Sequence, residues 1–483
     1  MAQETDHSTE LRHGVIGTVP LAFLVIAAAA PLGACAANIP LIIGLGNGIA
    51  APMDFLFIGV LLILFAVGYT AMSSHVTNAG AFYTYISMGL GKRLGGAAGY
   101  LAVAAYNFLT LYTAAVGGYF GSDILNLELG IQVPWWIITI VLYLAVFLLG
   151  YFGIEGGTKF LMVCLVCEAS ILVVTDVSVL IQAGPAAYTL ESFDPGVFFS
   201  GAPGLGIAFA FLCFIGFEAT AIFGEEAKDP RKTVPRATFF AVIFVGVVYA
   251  LTAWSVIAAM GGDEIVAMAQ SDQAGNIFYT VVTTYLGPVA GHIFNFFFIM
   301  SAFACWLATH NMASRYLYAF GRAGMLPKAL GRTHPKHKSP YIASIVQLVF
   351  GLAVVLICLV LGFDPYTQIG AIASAIAVVG IMTLELLVCA SVIGYMRKHN
   401  SEEGYHYNIF TTTIAPLLAL VGLCYIAFLV ISNFALLTGL DNMVLNIVFA
   451  CLMWIIGICG FVVSVVKDKR GTLADPTTIE VDE

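Results

Sequence analysis

Four acidic side chains lie inside long apolar stretches of the sequence: Glu168, Asp176, Glu218 and Glu385. No lysine or arginine lies at a comparable depth in those stretches to neutralise them. Taking a charged group to the centre of a membrane costs about 2.5 kcal/mol or more even on insertion scales, so such residues usually have a function. We expect each carboxyl group to be held protonated, to carry a proton, or to bind a cation.

The four positions predict different roles. Glu168, at the middle of its stretch, is a candidate for proton coupling or for binding a substrate amine, with a hydrogen-bonded structural acid as the alternative. Asp176 follows about two helical turns later and suits packing or a vestibule equally well. Glu385 lies toward the inner end of its stretch, where pairing with a basic residue of a cytoplasmic loop is the simpler interpretation.

The composition excludes a water-soluble globule. The 483 residues are 60% hydrophobic and only 10% charged, whereas about a quarter of the residues in a soluble domain are charged. Residues 1–14 are polar and lack the basic region of a cleavable signal, so we expect the first apolar stretch to be retained. The sequence therefore predicts an all-α polytopic membrane protein with no nucleic-acid partner.

Apolar runs of about 20 residues predict membrane-spanning helices. We find twelve of them: 17–43, 52–73, 95–122, 134–153, 159–182, 201–224, 236–260, 286–317, 342–362, 368–395, 412–437 and 443–466. Twelve spans place both termini on the same side of the membrane.

The basic residues support this count. All 19 lysines and arginines fall on one face of the predicted membrane topology. The only charged residues in the loops of the opposite face are acids such as Asp123, Asp263 and Asp364. Because basic residues concentrate in cytoplasmic loops, this face is predicted to be cytoplasmic. The tails 1–16 and 467–483 are then both cytoplasmic.

Two spans contain residues that interrupt a helix. Pro31 and Gly33 lie at the middle of span 1, and Gly216 follows Cys213, Phe214 and Ile215 at the middle of span 6. Proline removes an N–H donor and glycine loosens the backbone, so we expect breaks there. Breaks at equivalent places five spans apart are typical of an inverted-repeat transporter with its site at the membrane midplane. The alternative is that Pro31 merely kinks a packed helix.

Three groups of residues resemble the amino acid-polyamine-organocation superfamily of transporters. They follow spans 2, 6 and 8, and they are Gly80 with Tyr83 and Tyr85; Gly216 and Glu218 with Asp229-Pro230 and Pro235-Arg236; and Arg315 with Gly321-Arg322-Ala323-Gly324-Met325-Leu326-Pro327. The resemblance covers spans 1 to 10, and spans 11 and 12 match only as additional apolar helices.

The resemblance implies a fold of two inverted five-helix repeats, at 17–182 and 201–395, with discontinuous helices 1 and 6 and two extra helices at 412–466. It also implies a substrate site at the two breaks, where a carboxylate would meet backbone N–H groups at positive helix ends. The implied residues are Ala30, Pro31, Leu32, Gly33, Ala34, Cys35, Cys213, Phe214, Ile215, Gly216 and Glu218. Several relatives have a lysine near the position of Glu168, so the proton-coupling mechanism of those relatives does not transfer directly.

These expectations together describe a secondary transporter for an amino acid in the cytoplasmic membrane, coupled to protons through Glu168 and Glu218. A polyamine or organic amine importer, or a substrate exchanger, is the alternative. An enzyme is not expected, because the buried acids are spread over three spans without a clustered nucleophile or metal site. No cofactor or metal is expected either, since His334 and His337 sit in a basic, proline-rich loop without further ligands.

Overall fold

The computed structural model describes residues 10–73, 75, 80–152, 154–399 and 408–473. These residues form α-helices joined by short 3₁₀ and π turns, and their only extended pairing is a bridge between Ile16 and Ala227. The α-helices in chain order are α1 (Thr18–Ala29), α2 (Pro31–Leu41), α3 (Ala51–Ser73), α4 (Phe82–Leu90), α5 (Lys92–Leu129), α6 (Trp135–Tyr151), α7 (Ile154–Ala183), α8 (Pro195–Ser200), α9 (Pro203–Leu212), α10 (Pro230–Met260), α11 (Gly262–Ala269), α12 (Ile277–Leu286), α13 (Pro288–Arg322), α14 (Tyr341–Val360), α15 (Ala371–Lys398), α16 (Ala415–Ser432), α17 (Phe434–Thr438) and α18 (Met443–Lys469).

Within the described residues, ten helical segments are long and apolar enough to cross a membrane. The first of them, Thr18–Ser73, contains α1, α2 and α3, and α6 is a shorter apolar helix of 17 residues. The protein is therefore a multi-pass membrane protein, and the count of twelve spans stays a prediction.

The first predicted interruption lies between α1 and α2. Ala30 adopts a left-handed conformation (φ 48°, ψ 68°), and Pro31 then occupies the first position of α2. Proline is favoured at a helix start because it has no N–H to leave unpaired and its φ is already helical. The chain therefore ends one helix and begins another at mid-span.

The second predicted interruption follows α9. The α-helix stops at Leu212, Gly216 has φ 123°, and a 3₁₀ turn runs from Phe217 to Ala221. A side chain at Gly216 would place its Cβ 2.9 Å from the Cβ of Ala28, so the two interruptions lie against each other. Only glycine combines this backbone conformation with so close an approach.

A compact set of helices surrounds the two interruptions. Helix α5 packs against α13, α15 and α18, and α3 packs against α10. Small residues allow these close contacts, as where Gly99 lies against the ring of Phe320 and Gly380 against Ala105. Small residues commonly mark helix interfaces in membranes, where van der Waals packing must hold the helices together.

The outward faces of α7, α14, α16 and α18 carry exposed aliphatic side chains, including Val173, Val349, Val421 and Ile458. Such faces suit contact with lipid tails, because every backbone polar group inside a helix is already paired. These helices form the periphery of the molecule.

Several segments that the sequence assigned to loops are helical. Helices α11 and α12 occupy part of the predicted loop between spans 7 and 8, and α5 has 38 residues where the predicted span covers only 95–122. The segment after span 2, which contains Tyr83 and Tyr85, forms the buried helix α4 from Phe82 onward, while residues 77–79 lie outside the described residues.

Candidate functional site

A cavity of about 340 Å³ lies beside the two interruptions. Of the residues predicted from the sequence, Ala30, Gly33, Ala34, Cys213 and Ile215 line it. Further walls come from α5, α13 and α15. This volume is at the small end of the range for ligand pockets, which suits a small solute.

The other predicted residues of the two breaks lie behind this wall. Pro31, Leu32 and Cys35 are buried in α2, and Phe214 packs its ring 6.0 Å from that of Tyr249. Gly216 and Glu218 likewise contribute no surface to the cavity. Only part of the predicted set therefore faces the cavity, and a substrate site at the two interruptions stays a prediction.

Among the described residues that form the wall of the cavity, none has a charged side chain. Its polar side chains are Asn38, Tyr112, Thr113, Tyr366, Thr367 and Ser374, and the rest are mainly aliphatic or aromatic. A ligand with an unbalanced charge would find no countercharge on this wall, whereas a solute of zero net charge could use the dipoles at the helix ends.

Glu168 reaches from α7 to the first turn of α2. Its Oε2 accepts a hydrogen bond from the backbone N–H of Leu32 at 3.3 Å and from the hydroxyl of Ser301 at 2.7 Å. The backbone N–H of Gly33 donates to the same Ser301 hydroxyl at 3.3 Å. A carboxylate is favoured here because the N-terminal end of a helix is electrostatically positive.

Glu218 plays a similar part at the second interruption. Its Oε2 accepts from the backbone N–H of Gly216 at 2.8 Å, and its Oε1 accepts from the hydroxyl of Tyr106 at 2.7 Å. The hydroxyl of Tyr69 donates to its backbone carbonyl at 2.5 Å. The side chain and the main chain of this residue are thus tied to three different elements.

The C-terminal end of α1 has the opposite polarity to the N-terminal end of α2. The carbonyl of Ala28 accepts from the thiol of Cys305 at 3.0 Å, and that of Ala29 accepts from the hydroxyl of Tyr249 at 3.2 Å. Since the C-terminal end of a helix is electrostatically negative, this edge of the cavity favours a positive group. Positive and negative helix ends therefore meet at the same cavity.

Asp176 and Glu385 lie away from the cavity. Asp176 accepts from the hydroxyl of Thr252 at 2.9 Å, and its other carboxylate oxygen has no partner among the described residues. Glu385 is 1% exposed, and its Oε2 is likewise without a described partner. The structure thus buries Glu385 within the helix bundle, and no described lysine or arginine forms an ion pair with it.

Two ion pairs, one buried and one partly buried, lie just after the second interruption. Glu226 accepts from Arg315 of α13 at 2.7 and 2.9 Å, and both side chains are 3% exposed. About two turns further along α13, Arg322 pairs with Glu225. The sequence motifs contain Arg315 and Arg322 but give no sign that these residues pair with Glu226 and Glu225.

The segment before α1 also contacts this region. The backbone N–H groups of Val15 and Ile16 donate to the carbonyl of Glu226 at 3.0 and 2.9 Å, and Lys228 donates back to Ile16 at 2.9 Å. The chain before the first interruption is therefore held to the chain after the second one.

A larger pocket of about 700 Å³ lies at the other end of the bundle, between the ends of α5, α6 and α14. It includes Tyr119, Asp123 and Asp364 but no residue of either interruption. The ring of Tyr119 stacks on that of Tyr366, 5.2 Å away, and Tyr366 lines the inner cavity. The inner cavity is the better candidate for a binding site because helix ends of opposite polarity converge there.

Ser301 and Tyr106 are the site residues that sequence reasoning missed. Each is one of several uncharged polar residues in a long helix, and its partner lies more than a hundred positions away along the chain. Asp54 was missed as well, because it stands at the start of an apolar run; it is fully buried and bonded to Asn47 at 3.0 Å. Among the described residues, no three histidine, cysteine or acidic side chains are grouped as a metal site would require.

Comparison with known proteins identifies relatives. The family described as amino acid permease matches residues 21–472. A branched-chain amino acid permease, BcaP, of Lactococcus lactis is 26% identical over 66% of this chain and 70% of its own length. The serine/threonine exchanger SteT of Bacillus subtilis is 23% identical over 78% of this chain and 82% of its length.

The low-affinity putrescine importer PlaP of Escherichia coli is 22% identical over 62% of this chain, and the chain spans 65% of the length of that importer. The family match covers nearly the whole sequence and so confirms the resemblance inferred from the motifs. The chain belongs to the amino acid permease family.

Proposed function

We propose that the protein is a secondary transporter that carries a small amino acid of zero net charge across the cytoplasmic membrane by alternating access. The observation that carries this proposal is the cavity at the two interruptions, whose wall has no charged side chain in the part of the chain that the structure describes. Positive and negative helix ends meet there, as a zwitterion requires.

The polarity of the helix ends orients the substrate. Its carboxylate lies toward the first turn of α2, and its ammonium group lies toward the carbonyl end of α1 near Ala28 and Ala29. Its side chain then occupies the aliphatic and aromatic part of the cavity, near Val116, Leu212 and Val378. An apolar side chain of moderate size suits these surroundings.

The relatives narrow the choice of substrates to test. One is named as a permease for branched-chain amino acids and another as an exchanger of serine and threonine. Leucine and serine are therefore the first amino acids to compare.

An amine importer is the second candidate. It is favoured by the excess of buried acid over buried base and by the relative named as a putrescine importer. The two candidate functions predict different effects of Glu168→Gln. A neutral substrate should still bind, but its binding should no longer depend on protons. A diamine should instead bind less tightly, because a countercharge is removed.

Coupling to protons is part of the proposal. Glu168 and Glu218 are fully buried and each contacts an interruption, so a change of protonation there would alter the bonds that hold the broken helices. Exchange of one substrate for another is the alternative mode, and an imposed pH gradient separates the two.

The architecture expected from the sequence completes the proposal. We take α1 and α2 as one span and α3 and α6 as two others, which gives twelve spans with both termini in the cytoplasm. Residues 17–182 and 201–395 form the two inverted repeats, and 412–466 adds two helices. The clustering of basic residues supports this orientation.

Transport assays in reconstituted vesicles test the function. Purified protein should give saturable uptake of radiolabelled leucine or serine, stimulated by a pH gradient that is acidic outside, and putrescine should compete poorly. Uptake of putrescine without uptake of either amino acid would favour the amine importer. An ion current without any solute uptake would instead indicate a channel.

A further inference from the structure

The first turn of α2 has two backbone N–H groups that require a partner from outside the helix. Pro31 has no N–H, and Ala34 already donates to Ala30 at 2.7 Å, so only Leu32 and Gly33 remain. Leu32 donates to Glu168 directly, and Gly33 donates to Ser301, which in turn donates to Glu168. Glu168 is therefore hydrogen-bonded to the N–H of Leu32 directly and to that of Gly33 through the hydroxyl of Ser301.

This arrangement leaves Glu168 incompletely satisfied. Its Oε1 has no hydrogen-bond partner in the described part of the chain, and the side chain is fully shielded from solvent. Gly33 and Ala34, in the same turn of α2, line the cavity. The carboxylate thus holds the helix end from behind while a ligand would approach the same end from the cavity.

Among the residues that the structure describes, no lysine, arginine or histidine forms an ion pair with Glu168. The titratable groups that the Glu168 carboxylate influences are Cys35 of α2, Tyr249 of α10 and Cys305 of α13, with Cys164 on its own helix. All four types are neutral near pH 7, and Asp176 lies about two turns further along α7. A proton from solution is therefore what can neutralise this carboxylate.

We propose that Glu168 is a built-in competitor for the substrate carboxylate, and that it must take up a proton before the substrate can bind the first turn of α2. This inference rests on the proposed function. Two carboxylates cannot share the same two N–H groups at close range, because like charges in a low dielectric repel strongly.

Binding then proceeds by exchange. The Glu168 carboxylate accepts a proton from solution and releases the N–H of Leu32 and the Ser301 hydroxyl, and the substrate carboxylate takes its place. One proton is bound for each substrate, and no covalent bond forms or breaks. Substrate and proton therefore bind cooperatively, which couples their movement across the membrane.

The sign of the pH dependence follows from this exchange. Affinity is greatest at acidic pH, where Glu168 is already protonated. Once pH rises into the range where Glu168 ionises in the free protein, the affinity falls by up to tenfold per pH unit, since one proton is linked to binding. An amine without a carboxylate does not compete for these N–H groups.

Equilibrium binding to the purified full-length protein tests this inference. Radiolabelled leucine, serine and putrescine are titrated separately from acidic to alkaline pH against the wild type, Glu168→Gln and Asp176→Asn. Asp176→Asn is the matched control, because it removes a second buried carboxylate from the same helix without touching α2. Unlabelled isoamylamine, which is leucine without its carboxylate, serves as the competitor.

The expected result is a wild-type affinity for leucine or serine that falls with rising pH. Glu168→Gln should bind at alkaline pH about as tightly as the wild type binds at acidic pH, Asp176→Asn should keep the wild-type pH dependence, and isoamylamine should not displace the amino acid. A Glu168→Gln protein with the wild-type pH slope would overturn the inference and leave the proposed function standing. Failure of the wild type to bind either amino acid at any pH would overturn the proposed function as well.

A measurement on the wild type alone guards against misfolding of the variant. Adding leucine or serine, whichever binds, to protein in weakly buffered solution with an indicator dye should raise the pH, because about one proton is taken up per bound amino acid at alkaline pH. Proton release, or no change in pH, would contradict the exchange.

Discussion

Glu168 and Glu218 perform the same task at two different interruptions. Each carboxylate accepts a hydrogen bond from a backbone N–H group that the broken helix leaves without a helical partner. Unpaired N–H groups buried in a membrane cost several kcal/mol each, so the breaks depend on these side chains. The residues that complete each network, Ser301 and Tyr106, are therefore as informative as the acids themselves.

Removing the hydroxyl of Tyr106 tests its hydrogen bond to Glu218. Tyr106→Phe should lower the free energy of unfolding by about 1.5–3 kcal/mol, because a buried carboxylate loses a donor. Chemical unfolding in detergent measures this change. Tyr100→Phe on the same helix is the control: its hydroxyl donates to the neutral carbonyl of Met325, and a loss of only about 1 kcal/mol is expected. Equal losses in the two variants would argue against a special role for the bond.

The buried pair of Arg315 and Glu226 offers a second test. Glu226→Gln leaves the guanidinium buried without a countercharge and should lower the free energy of unfolding by about 3–5 kcal/mol.

The exposed pair of Asp229 and Lys232 in the same segment is the control. Asp229→Asn should change stability by less than about 1 kcal/mol, because exposed ion pairs contribute little. A Glu226→Gln protein as stable as Asp229→Asn would show that the guanidinium finds another partner or water.

At the residue scale, the sequence identified the acids but not their partners. Glu168 and Glu218 stand out because charge is rare in apolar runs, and this signal is local. Ser301 and Tyr106 carry no such signal, since serine and tyrosine are common in membrane helices and their partners are set by tertiary packing. For the same reason the pairing of Arg315 with Glu226 could not be inferred.

The two interrupted segments are the elements that define the site. In the first, a left-handed Ala30 and Pro31 separate α1 from α2; in the second, Gly216 separates α9 from a 3₁₀ turn. Backbone chemistry specifies both breaks, so both could be predicted from Pro31 and Gly216. The interruptions then create helix ends of both polarities in one place.

Gly216→Ala tests whether this geometry is required. The new methyl group would need φ 123° and would lie 2.9 Å from the Cβ of Ala28, so we expect transport to fall at least tenfold. Uptake in reconstituted vesicles measures the effect. Gly224→Ala, eight residues later, is the matched control, since no atom lies within 4 Å of its added Cβ and it should keep near-normal uptake. Normal uptake by Gly216→Ala would contradict a tight second interruption.

Element boundaries were harder to predict than the breaks. An apolar run reports where lipid begins and ends, whereas a helix continues as long as its backbone is paired. Helix α5 therefore extends from Lys92 to Leu129, beyond the predicted 95–122, and α11 and α12 form outside any apolar run of spanning length.

At the scale of the whole molecule, the cavity is bounded on two sides by different kinds of contact. The buried pair of Arg315 and Glu226 and the chain before α1 hold one side. Stacked aromatic rings, Tyr119 on Tyr366, separate the cavity from the larger pocket at the other end. In the proposed cycle of alternating access, these two sets of contacts open in turn.

The volume of the cavity should set the size of the substrate. Ala302 of α13 lines the cavity, and Ala302→Phe would fill much of its 340 Å³. We expect uptake of leucine to fall at least tenfold relative to that of a smaller amino acid such as serine, because overpacking is costly. Competition assays in vesicles measure this ratio.

Val173→Phe is the control for added bulk, because Val173 is 50% exposed on the outer face of α7. It should leave the ratio of leucine to serine uptake unchanged. A ratio that is the same in both variants would place the substrate elsewhere.

The position of the bound substrate is the most direct test of the central claim, which is that two broken helices form the binding site. An electron cryo-microscopy structure of the protein with saturating leucine or serine would locate it. The account predicts density for the amino acid between Ala30, Gly33 and Ile215, with its carboxylate at the first turn of α2 and Glu168 withdrawn from Leu32. Density confined to the larger pocket near Tyr119 and Asp364, with Glu168 still hydrogen-bonded to Leu32, would contradict it.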